Sequence, residues 1–509
     1  MSKIFNGTLP TGGDSTTENL NQWFAAGDIA YITVGAAMVF LMVPGLGFLY
    51  SGLARRKSAL SMIWLCLFSS CVVMLQWFLC GYSLAFSSTA TNGFIGNLDN
   101  GGFVNVLAAP SPGSPLIPEI LYALYQCMFA CVTVAIIAGA CAERGRMVPF
   151  LVFSFFWMTF VYCPVANWVW GTGGWAFKWS VLDYAGGGPV EIGSGAGGLA
   201  YSFMLGKRKE KMLLNYRPHN VSLVTLGTIL LWFGWLGFNG GSSFGANIRA
   251  VMASWTTNLT AAVAGMTWCV LDFRLEKKWS TVGFCSGCIA GLVAATPASG
   301  FIPPWAGIIL GIVSGALCNY ATKIKFLIKI DDSMDVFAEH GVGGIIGLLF
   351  NGLFAADYII GLDGVNTGAG LIQGGWLNRN YAQLYKQFAY LCAVTAYVFV
   401  VTCLICFIID KIPGLHLRAS ERAELIGMDE DQIGEFAYDY VEVRRDFLAW
   451  SPPSNDTCDT KEGPNMPTLI DHARTLDGAS GSGESHENSE GSNERGEKTS
   501  DRDPSARPS

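Results

Sequence analysis

Charge is scarce in this chain of 509 residues: only 14% of them are Asp, Glu, Lys or Arg, whereas 51% are hydrophobic. Soluble domains carry about 25% charged residues. The deficit argues against an ordinary soluble domain and favours a lipid bilayer as the solvent and partner of the chain. The net charge of −7 argues against nucleic acid as a partner. Residues 1–27 lack the apolar core of a cleavable signal peptide.

Paired cysteine motifs are also scarce. Most of the 15 cysteines lie within apolar runs, where they behave as small apolar side chains. Cys285 and Cys288 form a CxxC pair, but no second pair follows at zinc-site spacing. We therefore predict neither a disulfide framework nor a metal site. Because no nucleophile–base constellation or cofactor motif is evident, we expect no enzymatic activity and no cofactor.

Long apolar segments, in contrast, are abundant. Apolar stretches of about 18 or more residues without charge indicate membrane-spanning helices. We predict an all-α integral membrane protein with eleven transmembrane helices, the eighth of which is short. The predicted spans are 29–53, 61–86, 120–142, 148–169, 190–205, 221–238, 254–273, 281–295, 305–320, 340–356 and 388–412.

The distribution of basic residues predicts the orientation, because cytoplasmic loops collect Lys and Arg. A basic cluster follows every odd-numbered span from the first to the ninth, such as Arg55, Arg56 and Lys57 after the first. Residues 90–118, on the opposite side, contain no Lys or Arg. The pattern predicts an extracellular N-terminus and a cytosolic C-terminus, and the loss of any span, including the eighth, would break it.

This topology divides the chain into four regions. We predict an extracellular N-terminal segment over 1–27, a transmembrane domain over 28–412, a charged cytosolic segment over 413–449 and a disordered cytosolic tail over 450–509. The tail is rich in Ser, Gly, Glu, Asp and Pro and cannot bury a core. Asn6 opens an Asn-Gly-Thr glycosylation sequon on the predicted outer side, although such sequons also arise by chance.

The first five and second five predicted spans look like diverged copies. Glu191 and His340 each open a span, and glycines recur four and seven positions after both. A repeat with an odd number of crossings must be inverted, so we predict two inverted five-helix repeats plus a final helix. In transporters such repeats place the substrate path at their interface. Chance similarity between glycine-rich spans is the alternative.

Ionisable side chains at membrane depth are costly, so each one is a candidate functional group. Glu191 and His340 are the most informative, and a histidine satisfied within the core is the alternative for His340. Asp183 and Asp335 lie just upstream of them. The run DYAGGG from Asp183 also fits a helix cap followed by a turn.

Several long strings indicate a family. In chain order they are FACVTV from Phe129, GACAER from Gly139, Trp-Gly at Trp170, DYAGG from Asp183, GWLGFNGGS from Gly234 and DVFAEHG from Asp335. With these strings the chain resembles the ammonium transporters (Amt/Mep/Rh), most closely the fungal methylammonium permease branch, over about residues 29–443. The resemblance implies a plasma-membrane permease for ammonium and methylammonium that forms homotrimers with one pore per subunit.

The resemblance also implies roles for individual residues. Trp170 and Ser242 match the outer recruitment site, where an aromatic face and a hydroxyl receive ammonium. Phe129 and Phe238 match the stacked aromatic gate beneath that site. His340 matches the second of the family's two pore histidines.

Glu191 departs from the commonest pattern of the family. Most members carry the first pore histidine at this position, and several fungal members carry glutamate. A simple relay between two imidazoles is therefore in doubt, and we expect Glu191 to set the pH dependence of transport. Asp183 matches the aspartate near the pore mouth, which has a structural or recruiting role, and we group Asp335 with it.

The physical chemistry of the substrate supports this scheme. A bare ammonium ion in a low-dielectric pore is strongly penalised. A protein that recruits the cation, removes its proton and conducts ammonia avoids the penalty, and it rejects potassium, which has no proton to release. Titratable groups must then lie along the path, and a histidine paired with a buried carboxylate suits that task.

Two alternatives to a permease stay open. An ammonium sensor with little flux would share the fold, but family members implicated in sensing usually keep the first histidine. A gas channel of wider specificity, as in the Rh branch, fits less well with Trp170 and Ser242.

Residues 421–438 resemble the family's cytosolic tail, which couples subunits. We expect a docking site there for a cytosolic regulator or kinase; a solvated charged helix is the alternative.

Overall fold

Helices form all the regular secondary structure of residues 11–209 and 217–438, the parts of the chain that the computed structural model describes. Within these parts, extended pairing is limited to two isolated bridges. The long helices are α1 (Ala26–Leu53), α2 (Ala59–Gln76), α3 (Glu119–Ile137), α4 (Met147–Trp157), α5 (Gly193–Leu205), α6 (Val221–Gly241), α7 (Ile248–Glu276), α8 (Thr281–Ala295), α9 (Pro304–Ala321), α10 (Val342–Phe354) and α11 (Ala382–Lys411). The predicted all-α class is confirmed, and each predicted span overlaps one of these helices.

Two of the predictions lie outside the described residues. One is the sequon at Asn6, and the other is the disordered tail over 450–509. The predicted cytosolic segment over 413–449 is described as far as Tyr438.

Eight helices of the described residues are long and apolar enough to cross a membrane. The chain is therefore a multi-pass membrane protein. The other three long helices are α5, α7 and the 15-residue α8. Helix α7 contains several polar side chains that satisfy themselves locally; for example, the Thr257 hydroxyl donates to the Ala253 carbonyl at 2.7 Å. Such residues lower the hydropathy of a helix without leaving an unpaired polar group in the membrane.

The ends of the helices differ from the predicted ends. Helix α7 begins at Ile248 and not at 254, because Asn247 caps it by accepting the N–H of Ala250 at 3.0 Å. Helix α11 begins at Ala382 and not at 388. The added residues of α11 include Gln383, Lys386 and Gln387, whereas in α7 Arg249 interrupts an apolar run. Hydropathy alone does not carry a helix through such residues.

Glycines allow the two predicted repeats to approach closely at their centre. Helix α5 packs against the start of α10, and a Cβ atom on Gly195 would lie 2.2 Å from the backbone nitrogen of Gly341. A Cβ on Gly344 would lie 2.8 Å from the Cβ of Glu191. Only glycine permits such contact between backbones, and the contact brings Glu191 to the side of His340.

Single π-helical turns interrupt the helices at four places in the membrane. They are Trp77–Gly81 after α2, Met158–Tyr162 after α4, Gly187–Ile192 before α5 and Phe337–Gly341 before α10. Such turns insert an extra residue and often occur at functional sites. The last two hold Glu191 and His340.

Candidate functional site

Two phenylalanine rings close the upper part of the candidate pathway. Phe129 of α3 and Phe238 of α6 stack with ring centroids 3.8 Å apart and planes 20° apart, and both are buried. The edge of Trp170 meets Phe129, with centroids 6.3 Å apart. Rings at van der Waals contact leave no room for an ion between them, so passage requires at least one ring to rotate.

Ser242 ends α6 directly after the stacked rings. Its hydroxyl donates to the carbonyl of Phe238 at 2.9 Å, and the hydroxyl of Tyr125 lies 3.5 Å away. Tyr125 also donates to the Phe238 carbonyl at 2.6 Å. Sequence reasoning did not single out Tyr125. Its position one helical turn before Phe129, on the same face of α3, was the available signal.

Trp170 is held over this site by its indole nitrogen. The Nε1–H group donates to the backbone carbonyl of Asp183 at 3.1 Å, which orients the ring. The ring is partly exposed, whereas Phe129 beneath it is 1% exposed. Trp170, Ser242 and the two phenylalanines therefore form one cluster.

Beyond the rings lies a buried pair of titratable side chains. Nδ1 of His340 is 2.8 Å from Oε2 of Glu191, and the two residues are 3% and 0% exposed. The other carboxylate oxygen of Glu191 has no hydrogen-bond partner among the residues that the structure describes. One hydrogen bond thus joins the two side chains, and Oε1 of Glu191 is a further acceptor in this buried setting.

Asp183 caps the π turn that holds Glu191. Its carboxylate accepts the N–H groups of Gly186, Gly187 and Gly188 at 3.0, 2.6 and 2.7 Å. Gly186 has a φ of 113°, a conformation that favours glycine. This is the geometry of a cap followed by a turn, and it directs the carboxylate to the backbone and away from the pathway.

Asp332, and not Asp335, is the counterpart of Asp183 in the second repeat. Asp332 lies eight residues before His340, as Asp183 lies before Glu191, and its Oδ2 accepts the N–H of Phe337 at 2.8 Å. Asp335 instead pairs with Lys325 at 2.7 Å. The structure does not bring Asp335 to the cluster around Trp170.

Comparison with known proteins identifies the family. Residues 30–438 match the family model described as Ammonium Transporter Family. This chain belongs to the ammonium transporter family. It is 57% identical to ammonium transporter MEP3 and 58% identical to MEP1, both of Saccharomyces cerevisiae, over 86% of this chain and 88% of each relative. The family prediction made from the strings is confirmed.

Solved structures of this family have the same fold. The crystal structure of Saccharomyces cerevisiae Mep2 matches with a TM-score of 0.76 and 48% identity over 83% of this chain and 96% of that chain. The crystal structure of Candida albicans Mep2 matches with a TM-score of 0.78 and 46% identity over 86% of this chain and 96% of that chain. The protein is thus an ammonium transporter related to the fungal Mep proteins and not an enzyme, as predicted.

A network of ion pairs joins the loops at the opposite end of this transporter. The carboxylate of Glu143, which follows α3, accepts from Nε of Arg55 at 2.8 Å and from Nη1 of Arg208 at 2.9 Å. Burial tends to raise the pKa of Glu143, but the two guanidinium groups outweigh it and lower that pKa. Arg208 also pairs with Asp331 at 2.9 Å. Burial also tends to raise the pKa of Asp331, yet the contacts with Arg208 lower that pKa to about 2.

The segment after α11 packs against the same end of the molecule. The backbone N–H of Ala419 donates to the carbonyl of Arg144 at 2.9 Å, and a short helix, α12 (Glu421–Ile426), follows. Asp429 then caps the start of α2 by accepting the N–H groups of Leu60 and Ser61 at 3.0 and 2.7 Å. Sequence reasoning missed this buried aspartate, since a carboxylate in a charged segment suggests a solvated side chain.

Proposed function

We propose that this transporter recruits ammonium or methylammonium between Trp170 and Ser242, removes a proton and conducts ammonia past Phe129 and Phe238. Glu191 and His340 then carry the proton. The observation that carries the proposal is the 2.8 Å contact between these two buried groups beneath the stacked rings. An ion that loses its proton above this channel avoids the penalty of a bare charge in an apolar medium.

The decisive experiment measures growth and methylammonium uptake in fungal cells that lack their own ammonium permeases. The wild-type chain and a His340→Ala variant are expressed at verified equal levels at the plasma membrane, which also tests that location. We expect uptake by the wild type, and its loss or a changed substrate preference in the variant. A wild-type chain that reaches the surface without transporting would favour the sensor. Equal uptake by both chains would contradict the relay.

We further propose eleven crossings, an extracellular N-terminus and a cytosolic C-terminus. Helices α5, α7 and α8 supply the three crossings that apolar length alone does not indicate, and the basic loops after odd-numbered helices support the orientation. Cysteine labelling from outside intact cells tests it. A single cysteine placed between α2 and α3 should react, whereas one placed between α9 and α10 should not.

We propose that the subunits assemble as homotrimers, as the family resemblance implies. Exposed apolar side chains on α1, α6, α7 and α9 supply surfaces that lipid or a neighbouring subunit would cover. Mass measurement of the purified complex tests the stoichiometry, and a monomer would contradict it.

At the N-terminus we propose glycosylation of Asn6, which predicts a mobility shift after glycosidase treatment that Asn6→Gln abolishes.

We propose a regulatory role for the segment over 413–449. Its contacts with loops that also hold the ion-pair network support the role, because release of the segment would disturb those loops. A chain truncated before Glu421 should therefore lose normal transport or its response to nitrogen supply. Unchanged transport and regulation would contradict the role.

A further inference from the structure

A small cavity beside Ser242 contains a buried cation that the proposed pathway does not use. The cavity has a volume of about 140 Å³, and its lining includes Ser242, Tyr184, Phe301, Arg249 and Asp363. A guanidinium group so close to a site that receives ammonium is unexpected, because like charges repel most strongly where water is scarce.

Several contacts besides the carboxylate of Asp363 hold Arg249 in place. Its Nε–H group donates to the carbonyl of Gly300 at 2.8 Å. The guanidinium carbon also lies 5.0 Å from the ring centroids of both Tyr184 and Phe301. Cation–π contacts of this kind stabilise a desolvated guanidinium. The positive charge would therefore stay in the cavity if Asp363 were neutral.

Asp363 is equally well held without Arg249. Its Oδ1 accepts the backbone N–H groups of Val365 and Asn366, each at 2.8 Å, and its Oδ2 accepts the side-chain amide of Asn366 at 2.6 Å. Burial tends to raise the pKa of Asp363, but these hydrogen bonds and the charge of Arg249 lower it overall. Hydrogen bonds other than the contact with Arg249 therefore favour an ionised and ordered carboxylate at Asp363.

The two charges meet inside the cavity, where Nη1 of Arg249 is 2.8 Å from Oδ2 of Asp363. Together they contribute no net charge, whereas either one alone would leave one full unit of charge in the cavity that Ser242 also lines. We propose that Asp363 is a specificity-determining residue, which neutralises Arg249 and so allows the cavity beside Ser242 to admit a small cation. This inference rests on the proposed recruitment of ammonium at Trp170 and Ser242.

A purely structural ion pair makes a different prediction. If the pair served only to fix the loop around Asp363, removal of either partner would impair the protein in the same direction. If it sets the potential, the two removals act with opposite sign on substrate affinity. The double substitution would then return the affinity close to that of the wild type, because the cavity would again carry no net charge.

The experiment measures concentration-dependent methylammonium uptake in cells without their own permeases, for the wild type, Asp363→Asn, Arg249→Gln and the double variant, each corrected for its amount at the surface. We expect Asp363→Asn to raise the KM by about threefold to tenfold, the size expected of one charge in a partly solvated site. Arg249→Gln should lower the KM, and the double variant should restore it. Asp99→Asn, in a different loop, is the control and should leave the KM unchanged.

A rise in KM in both single variants, or an unchanged KM in Asp363→Asn, would overturn the inference. If Asp363→Asn does not reach the surface, Arg249→Gln and Arg249→Lys decide it: the KM must fall in the first and stay at the wild-type value in the second. A wild-type chain that reaches the surface without transporting would instead overturn the proposed function, before any variant is compared.

Discussion

The two halves of the chain hold Glu191 and His340 with the same backbone device but with different strength. Asp183 binds three N–H groups of the turn that carries Glu191. Asp332 binds one N–H of the turn that carries His340, and its second oxygen has no hydrogen-bond partner within the described ranges. A common device thus positions two different titratable groups, a carboxylate in one turn and an imidazole in the other.

The two ends of the pathway also differ in what surrounds these turns. The turn of Glu191 is secured by backbone hydrogen bonds in a buried setting, and a single ion pair between Arg249 and Asp363 lies nearby. Loops near the turn of His340 are tied by several ion pairs and by the segment after α11. Ion pairs respond to pH and salt. Backbone hydrogen bonds thus dominate around the turn of Glu191, whereas ion pairs dominate around the turn of His340.

The strongest test removes each cap in turn. Asp183→Ala leaves three buried N–H groups without an acceptor, so we expect a loss of roughly 3 to 5 kcal/mol of stability. Asp332→Ala removes one such bond and should lower stability by about 1 to 2 kcal/mol. Thermal unfolding of the purified variants, followed by tryptophan fluorescence, measures both. Equal losses would show that the two caps do not differ in strength.

Acid should weaken the ion pair between Asp331 and Arg208. The pKa of Asp331 is about 2 in the folded protein and 3.8 for an ordinary aspartate. A depressed pKa stabilises the fold above the ordinary value, and this stabilisation is lost as the pH falls from about 4 to 2. Asp331→Asn should therefore be about 2 kcal/mol less stable than the wild type at pH 6, and the gap should close near pH 2. A gap that is constant over this range would contradict the assignment.

Exchange of the titratable group sharpens the comparison of the two turns. If the turns are equivalent scaffolds, Glu191→His should fold and transport, but with a different pH profile. We expect the ratio of uptake at pH 4 to uptake at pH 8 to change by up to about tenfold, which corresponds to about 1.4 kcal/mol. Normalised profiles from pH 4 to 8 that superimpose on those of the wild type would exclude Glu191 as the group that sets the dependence.

The smallest expected effect concerns the segment after α11. Asp429→Ala removes the cap of α2, and the loss of a capping residue typically costs about 1 kcal/mol. The segment should then be released more often and be cut faster by a protease added to the purified protein. Glu430→Ala is the matched control, because this neighbouring side chain is exposed. Identical cleavage rates in the two variants would mean that the cap does not hold the segment.

The sequence by itself determined the all-α class, the positions of the helices along the chain and the family. Within lipid, a long uncharged run can satisfy its backbone groups by forming a helix. The positions of these runs along the sequence therefore placed the helices. The strings around Phe129, Asp183, Gly234 and Asp335 were long enough to indicate the family. The helix end at Ala382 was missed because the first turns of α11 are rich in polar residues, and the end at Ile248 was missed because Arg249 interrupts the apolar run.

Only the tertiary structure decided which side chains meet. The spacing of eight residues marks Asp332 in the sequence, but only the structure shows that Asp332 accepts from the turn whereas Asp335 pairs with Lys325. The pairs of Arg208 with Glu143 and of Arg249 with Asp363 join residues far apart in the chain. Hydropathy and local strings report on neighbours in sequence, whereas hydrogen bonds and charge pairs depend on distances in space that only the packing of the helices sets.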